Sequence, residues 1–290
     1  MQAIYKKEFK SYFRSVTGFV FVAFFLLVLG LYTSIIDFSN ASSHFEYVYY
    51  NSCFVFLIAV PILTMRSIAE ERRQKTDQLL YSLPISTTQV VLGKYFAMLT
   101  VFAIPVGITC LYPLLLKLYD PSGYLSFTAI YSSVFAFLLL GAALIAIGMF
   151  MSSLTENQII SALLSFAAML LCYLMGDLKN YLPTTSGATM VGFAVLILAL
   201  SLIVFFITRN GTAAWILFIV LEIPVIVISF VDATILEGAL PSVFGTLSVF
   251  ERFYAFAEGV FDLKAILYFV TVAVLFNFFT VQSMEKRRWS

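Results

Sequence analysis

Runs of almost uninterrupted apolar residues, each close to the length that crosses a bilayer, constrain this chain more than any other feature. A membrane-crossing helix needs roughly 20 mostly apolar residues. Eight stretches approach that length, near residues 17–36, 48–65, 95–116, 127–152, 158–175, 188–208, 213–231 and 264–283. None shows the short alternation of an outer-membrane barrel, and in lipid only helices and closed barrels satisfy every backbone polar group. With 61% hydrophobic and 11% charged residues and 31 Phe in 290 residues, the composition excludes a soluble domain. Mean hydropathy of +0.98 says the same. The expected fold is an all-α polytopic membrane protein of about eight transmembrane helices, a single domain over residues 1–290.

Lys and Arg set the expected orientation, because inner loops carry the excess of positive charge. With both termini in the cytoplasm, the inner segments hold Lys6, Lys7, Lys10, Arg14, Arg66, Arg72, Arg73, Lys75, Lys94, Arg209, Lys286, Arg287 and Arg288, against Lys117, Lys179, Arg252 and Lys264 outside. A net charge of +1 gives no footprint for nucleic acid. The first apolar run follows a basic start but lacks a small-residue cleavage site, so it reads as a retained span. Residues 1–16 place Tyr5, Phe9, Tyr12, Phe13 and Val16 at helical spacing, with Lys6, Lys7, Lys10 and Arg14 largely on the other side. That pattern describes a helix lying in the membrane interface; the plainer alternative is a basic leader that only sets topology.

The stretch Met65–Lys94 breaks the apolar pattern. It carries eight of the 33 charged residues: Arg66, Glu70, Glu71, Arg72, Arg73, Lys75, Asp77 and Lys94. Such an island must lie in water beside the membrane. Residues 66–80 contain no Gly or Pro and are rich in helix formers, so a helix continuing from the second span is expected, ended by Pro84. Ser86 and Gln89 have capping-box spacing, which starts a new helix toward the third span. The expectation over residues 66–94 is a stiff elbow of helix, bend and helix. Thr155 and Gln158 repeat the capping-box spacing in the loop before the fifth span, with Glu156 favourably placed in the first helical turn.

Met65, Arg66, Ala69, Glu70, Glu71, Arg72, Thr76, Leu79, Leu80, Pro84, Ser86, Val91, Leu92, Gly93 and Lys94 resemble the loop between the second and third spans of permease subunits of the type-2 ABC exporter family, particularly the gliding-motility and copper-site-maturation branch. The opening AIYKKEFKSYFRS is similar to that family's amphipathic first helix. The ending FERFYAFAEGVFDLKAILYF followed by MEKRRW resembles its extracellular segment, last span and basic tail. The resemblance implies that Arg66, Glu70, Glu71, Arg72, Arg73, Thr76 and Asp77 dock onto a cytoplasmic ABC ATPase. It implies a second contact at Thr155, Glu156 and Asn157, which otherwise read simply as a well-capped helix start. It implies further a second copy or a related permease as partner, in a multi-pass bacterial plasma membrane. Six spans are usual there, so the extra pair is expected at residues 188–231, and residues 232–263 form an extracellular or re-entrant segment.

Gly93 and Lys94 lack the upstream glycine of a P-loop, so no nucleotide cradle is expected in this chain. ATP and Mg would act through the partner ATPase. His44, the single histidine, and Cys53, Cys110 and Cys172 form no metal-ligand or catalytic pattern, so neither a catalytic nor a metal site is expected. Glu222, two residues before Pro224 and near the middle of a span, is a candidate for the substrate path. Alternatively, in its protonated form it satisfies backbone carbonyls freed by Pro224. The function expected is a permease subunit exporting an unidentified substrate. The alternatives are a non-transporting membrane scaffold coupled to an ATPase and, disfavoured by the missing constellations, a membrane enzyme.

Overall fold

A computed structural model describes residues 1–39, 45–76, 85–119, 126–208 and 210–288. Among these the regular structure is entirely helical. His44, Arg209 and the island residues 77–84, which include Asp77, Leu79, Leu80 and Pro84, lie outside the described residues. Seven helices among the described residues are long and apolar enough to cross a membrane, or eight if Ala233–Leu247 and Glu251–Ala257 count as one bent span. This is a multi-pass all-α membrane protein.

The chain forms two compact units, Met1–Tyr173 with Val249–Ser290, and Leu174–Ser248. In the first, α1 (Gln2–Arg14) turns into α2 (Val16–Thr33). Next come α3 (Glu46–Ser52), α4 (Phe56–Thr64) and the short α5 (Ala69–Arg73). Then follow α6 (Thr87–Thr109), α7 (Tyr112–Tyr119), α8 (Phe127–Ser153) and α9 (Gln158–Leu178). The second unit holds the end of α9, then α10 (Ser186–Thr208), α11 (Gly211–Val231) and α12 (Ala239–Leu247). The first unit closes with α13 (Glu251–Ala257) and α14 (Leu263–Arg288).

Helix α8 is the spine of the first unit, with α4, α6, α13 and α14 packed around it. In lipid, apolar burial does not drive helices together, so they must approach closely enough for dispersion contacts. Small residues permit this: a Cβ on Gly141 would lie 2.2 Å from Phe102, and one on Gly148 would lie 2.6 Å from Thr64 Oγ1. Above these sits an aromatic cluster of Phe25, Phe56, Phe102 and Phe137, each at most 1% exposed, with ring centroids 4.8–6.2 Å apart. Pro61, Pro105 and Pro224 lie inside α4, α6 and α11, whereas Pro113 occupies the first turn of α7, where its missing N–H costs nothing.

The elbow departs from expectation. Instead of one helix from Arg66 to Leu80, there is a turn at 65–68, then the five residues of α5, then a second turn at 74–76. The first break is tertiary in origin, because Ser152 Oγ of α8 accepts the amide N–H groups of Ile68 and Ala69 at 3.3 and 3.2 Å. The second is a Schellman turn: Lys75 N–H donates to the Arg72 carbonyl and Thr76 N–H to the Glu71 carbonyl, with Lys75 at a φ of 57°. Glycine normally takes that left-handed position, so no sequence signal announced the stop. The start of α6 follows the sequence, with Ser86 Oγ accepting from Gln89 N–H at 3.3 Å.

At α9 the expected cap is displaced by two residues. Asn157, not Thr155, is the N-cap, its Oδ1 accepting from Ile159 N–H at 2.9 Å, while Thr155 Oγ1 accepts from Asn157 N–H. Asn is at least as good a cap as Thr. Glu156 therefore precedes the helix, and instead of facing its first turn it pairs with Arg287.

Candidate functional site

Charge is concentrated where α1, α5 and the first turns of α6 meet. Lys94 lies two turns into an apolar helix and is 2% exposed. Its ammonium is 2.9 Å from Glu71 Oε1 and 3.2 Å from Glu8 Oε1, and it donates to the Ser67 carbonyl at 2.8 Å. A buried ammonium persists only with such partners, since desolvation alone costs several kcal/mol per ion. Three segments are thereby pinned to one atom: α1 through Glu8, the turn before α5 through Ser67, and α5 through Glu71. Lys7, exposed at the rim, lies 3.5 Å from Glu71 and 3.6 Å from Glu8 and adds a second, solvated cation.

Arg66 and Glu70 form a parallel bond pair one turn apart, Nε to Oε2 at 2.7 Å and Nη2 to Oε1 at 3.2 Å, and Arg66 Nη1 donates to Thr17 Oγ1 of α2 at 2.9 Å. Tyr12 of α1 donates its phenol to the Leu63 carbonyl of α4 at 2.8 Å. Burial, and then the nearby Glu8 carboxylate, push this phenol above its usual range, so it stays a donor at any physiological pH. Between these groups lies a cleft of about 260 Å³ bordered by Ser11, Arg66, Glu70 and Lys94.

The other side of α5 faces the C-terminal end of α8. Arg72, 5% exposed, donates to the Ser153 carbonyl, which also accepts from Ser283 Oγ of α14 at 3.1 Å. One carbonyl thus joins the elbow, the end of α8 and α14. Arg73, Gln74 and Lys75 are exposed. Thr76 donates its hydroxyl to the Glu71 carbonyl at 3.3 Å.

The residues expected to dock a partner are therefore of two kinds. Arg66, Glu70, Glu71 and Arg72 are brought together as internal struts, while Arg73 is directed outward; Thr155, Glu156 and Asn157 form a separate turn beside Arg287. Sequence reasoning did not assign roles to Glu8, Ser67, Ser152, Ser153 and Ser283, and took Lys94 only as a motif residue. A lysine two turns inside an apolar run was the available signal, because such a charge demands partners. Glu222, within the second unit, is 9% exposed, and its Oε2 has no hydrogen-bond partner among the described residues.

A family model described as ABC-2 family transporter protein matches residues 2–182, the stretch containing α1, the elbow and the second loop. No curated protein and no solved structure matches the chain. The match covers well over half of the sequence and every element of the charged junction, and the chain therefore belongs to the ABC-2 transporter family, whose members are membrane subunits rather than nucleotide-binding domains.

Proposed function

We propose that this chain is the permease subunit of an ATP-driven exporter, with α5 and its flanking turns receiving force from a separate ABC ATPase that binds ATP and Mg. The observation that carries this reading is the Lys94 junction, which fastens the exposed elbow to α1 and to the foot of α6 through buried ion pairs. A push on the outer rim of α5 is then transmitted to the spans rather than absorbed by a loose loop. The exposed rim, Arg73 to Lys75, is the surface offered to the ATPase, and the turn of Thr155, Glu156 and Asn157 adds a second contact. Both termini and the elbow lie on the cytoplasmic side of a bacterial plasma membrane, and a second copy or a related permease completes the pathway. The loop motif supports the gliding-motility and copper-site-maturation branch, and Glu222 is the polar candidate on the substrate path.

The test is co-purification of an ATPase with the wild-type chain and with Arg73→Glu combined with Lys75→Glu. Retention by wild type and loss by an equally inserted double variant is the expected result. Equal retention by both removes the rim from the docking surface, and no associated ATPase with either leaves the exporter reading without its motor.

A further inference from the structure

We infer that the cavity between α6, α8 and α14 is a binding site for a cationic amphiphile taken up from the bilayer. The cavity measures about 600 Å³, within the range of small-molecule sites. Its walls are apolar, with Phe96, Leu99, Phe269 and Phe278 among them. Phe96, Val274 and Phe278 are 41%, 63% and 55% exposed, so the cavity opens sideways through the surface that a spanning bundle presents to lipid. An occupant therefore arrives from the membrane.

Thr88 and Gln282 also border the cavity but are exposed, so two other polar groups define its chemistry. Asn277 is 7% exposed and lines the cavity, and its Nδ2 donates to the Ala273 carbonyl at 2.8 Å. A carbonyl only accepts, so this bond fixes the amide orientation and leaves Oδ1, which is buried without a partner. Leaving such an acceptor unsatisfied is costly, and a ligand hydroxyl or N–H would complete it. Tyr95, which also lines the cavity, already donates its phenol hydrogen to the Ala142 carbonyl at 3.1 Å. Two turns further along α14, roughly 12 Å away at helical rise, half-buried Glu285 borders the same cavity and has no ion pair among the described residues. Apolar walls, an unsatisfied buried acceptor part way along and a carboxylate at one end together match an amine head group on an apolar body that carries a hydrogen-bond donor. This inference does not depend on the exporter reading.

The experiment uses the full chain in phosphatidylcholine nanodiscs and three chain-matched diazirine probes: a long-chain amine, the same amine with a mid-chain hydroxyl, and a fatty alcohol. Peptide mapping should place amine labelling on residues 87–99 and 269–285. Val274→Trp, at an exposed position that tolerates bulk, should abolish it. Glu285→Gln should cut amine labelling about fivefold, to the level of the alcohol, the scale of a single partly screened ion pair. Asn277→Leu should lower labelling by the hydroxylated amine and leave the plain amine unchanged. Labelling spread evenly over all spans, or unaffected by Val274→Trp, overturns the site; equal labelling by amine and alcohol in the wild type overturns its cationic preference.

Discussion

The inner and outer faces of the elbow differ in almost every physical respect, although Glu71 to Lys75 follow one another in the chain. Inside, Glu71 and Arg72 are bound to groups 23 and 81 residues distant, in surroundings that exclude most water. Outside, Arg73, Gln74 and Lys75 are solvated. Identical charge types serve opposite purposes, and position relative to the bundle decides which. Stability and partner binding should therefore separate cleanly on this segment, in a series that runs from the largest expected effect to none.

Lys94→Ala should be the most damaging, costing about 3–5 kcal/mol because Glu8 and Glu71 lose their buried cation and keep only the solvated Lys7. Chemical unfolding in detergent measures it, and Lys94→Met with Glu8→Gln and Glu71→Gln should recover most of the loss. An unchanged midpoint for Lys94→Ala would show that the junction does not hold the inner face. Ser152→Ala comes next, at about 1–3 kcal/mol, since two buried amides lose their acceptor. Hydrogen exchange at Ile68 and Ala69 should rise in parallel, and protection equal to wild type would mean that the elbow's first break has another cause.

Lys75→Gly should stabilise by about 1 kcal/mol, relieving the left-handed backbone strain, with a small rise in melting temperature as readout. A fall instead would show that the lysine side chain contributes more than its backbone costs. Arg73→Glu with Lys75→Glu should stay within about 0.5 kcal/mol of wild type, as exposed substitutions usually do, while abolishing ATPase retention. Loss of stability in this pair would erase the distinction between the two faces.

Seven of the eight expected spans, α1 and the Ser86 cap were legible in the sequence because each rests on local pattern: apolar length, helical spacing, a hydroxyl one residue before a helix. The breaks in the elbow were not. The first is made by Ser152, more than 80 residues downstream of the amides it accepts, and the second places a lysine where glycine is the usual sign. The α9 cap was misplaced because Thr155 and Asn157 are both competent caps, and only the backbone path chooses between them. Of the candidate site, the island was visible as charge, but its division into struts and rim required knowing which side of α5 meets α8. The lone acceptor on Asn277 was likewise hidden, because an Asn in an apolar run does not say whether its oxygen has found a donor.

The bond from Ser283 to the Ser153 carbonyl spans 130 residues, joining the end of α8 to a helix made much later in translation. A nascent chain halted before Leu263 already has the elbow, its junction with Lys94 and the grip of Arg72. It lacks the clasp that α14 supplies to the end of α8. Helix α14 thus acts as a late clasp: full bracing of the elbow is reached only by chains that have been synthesised past Ser283.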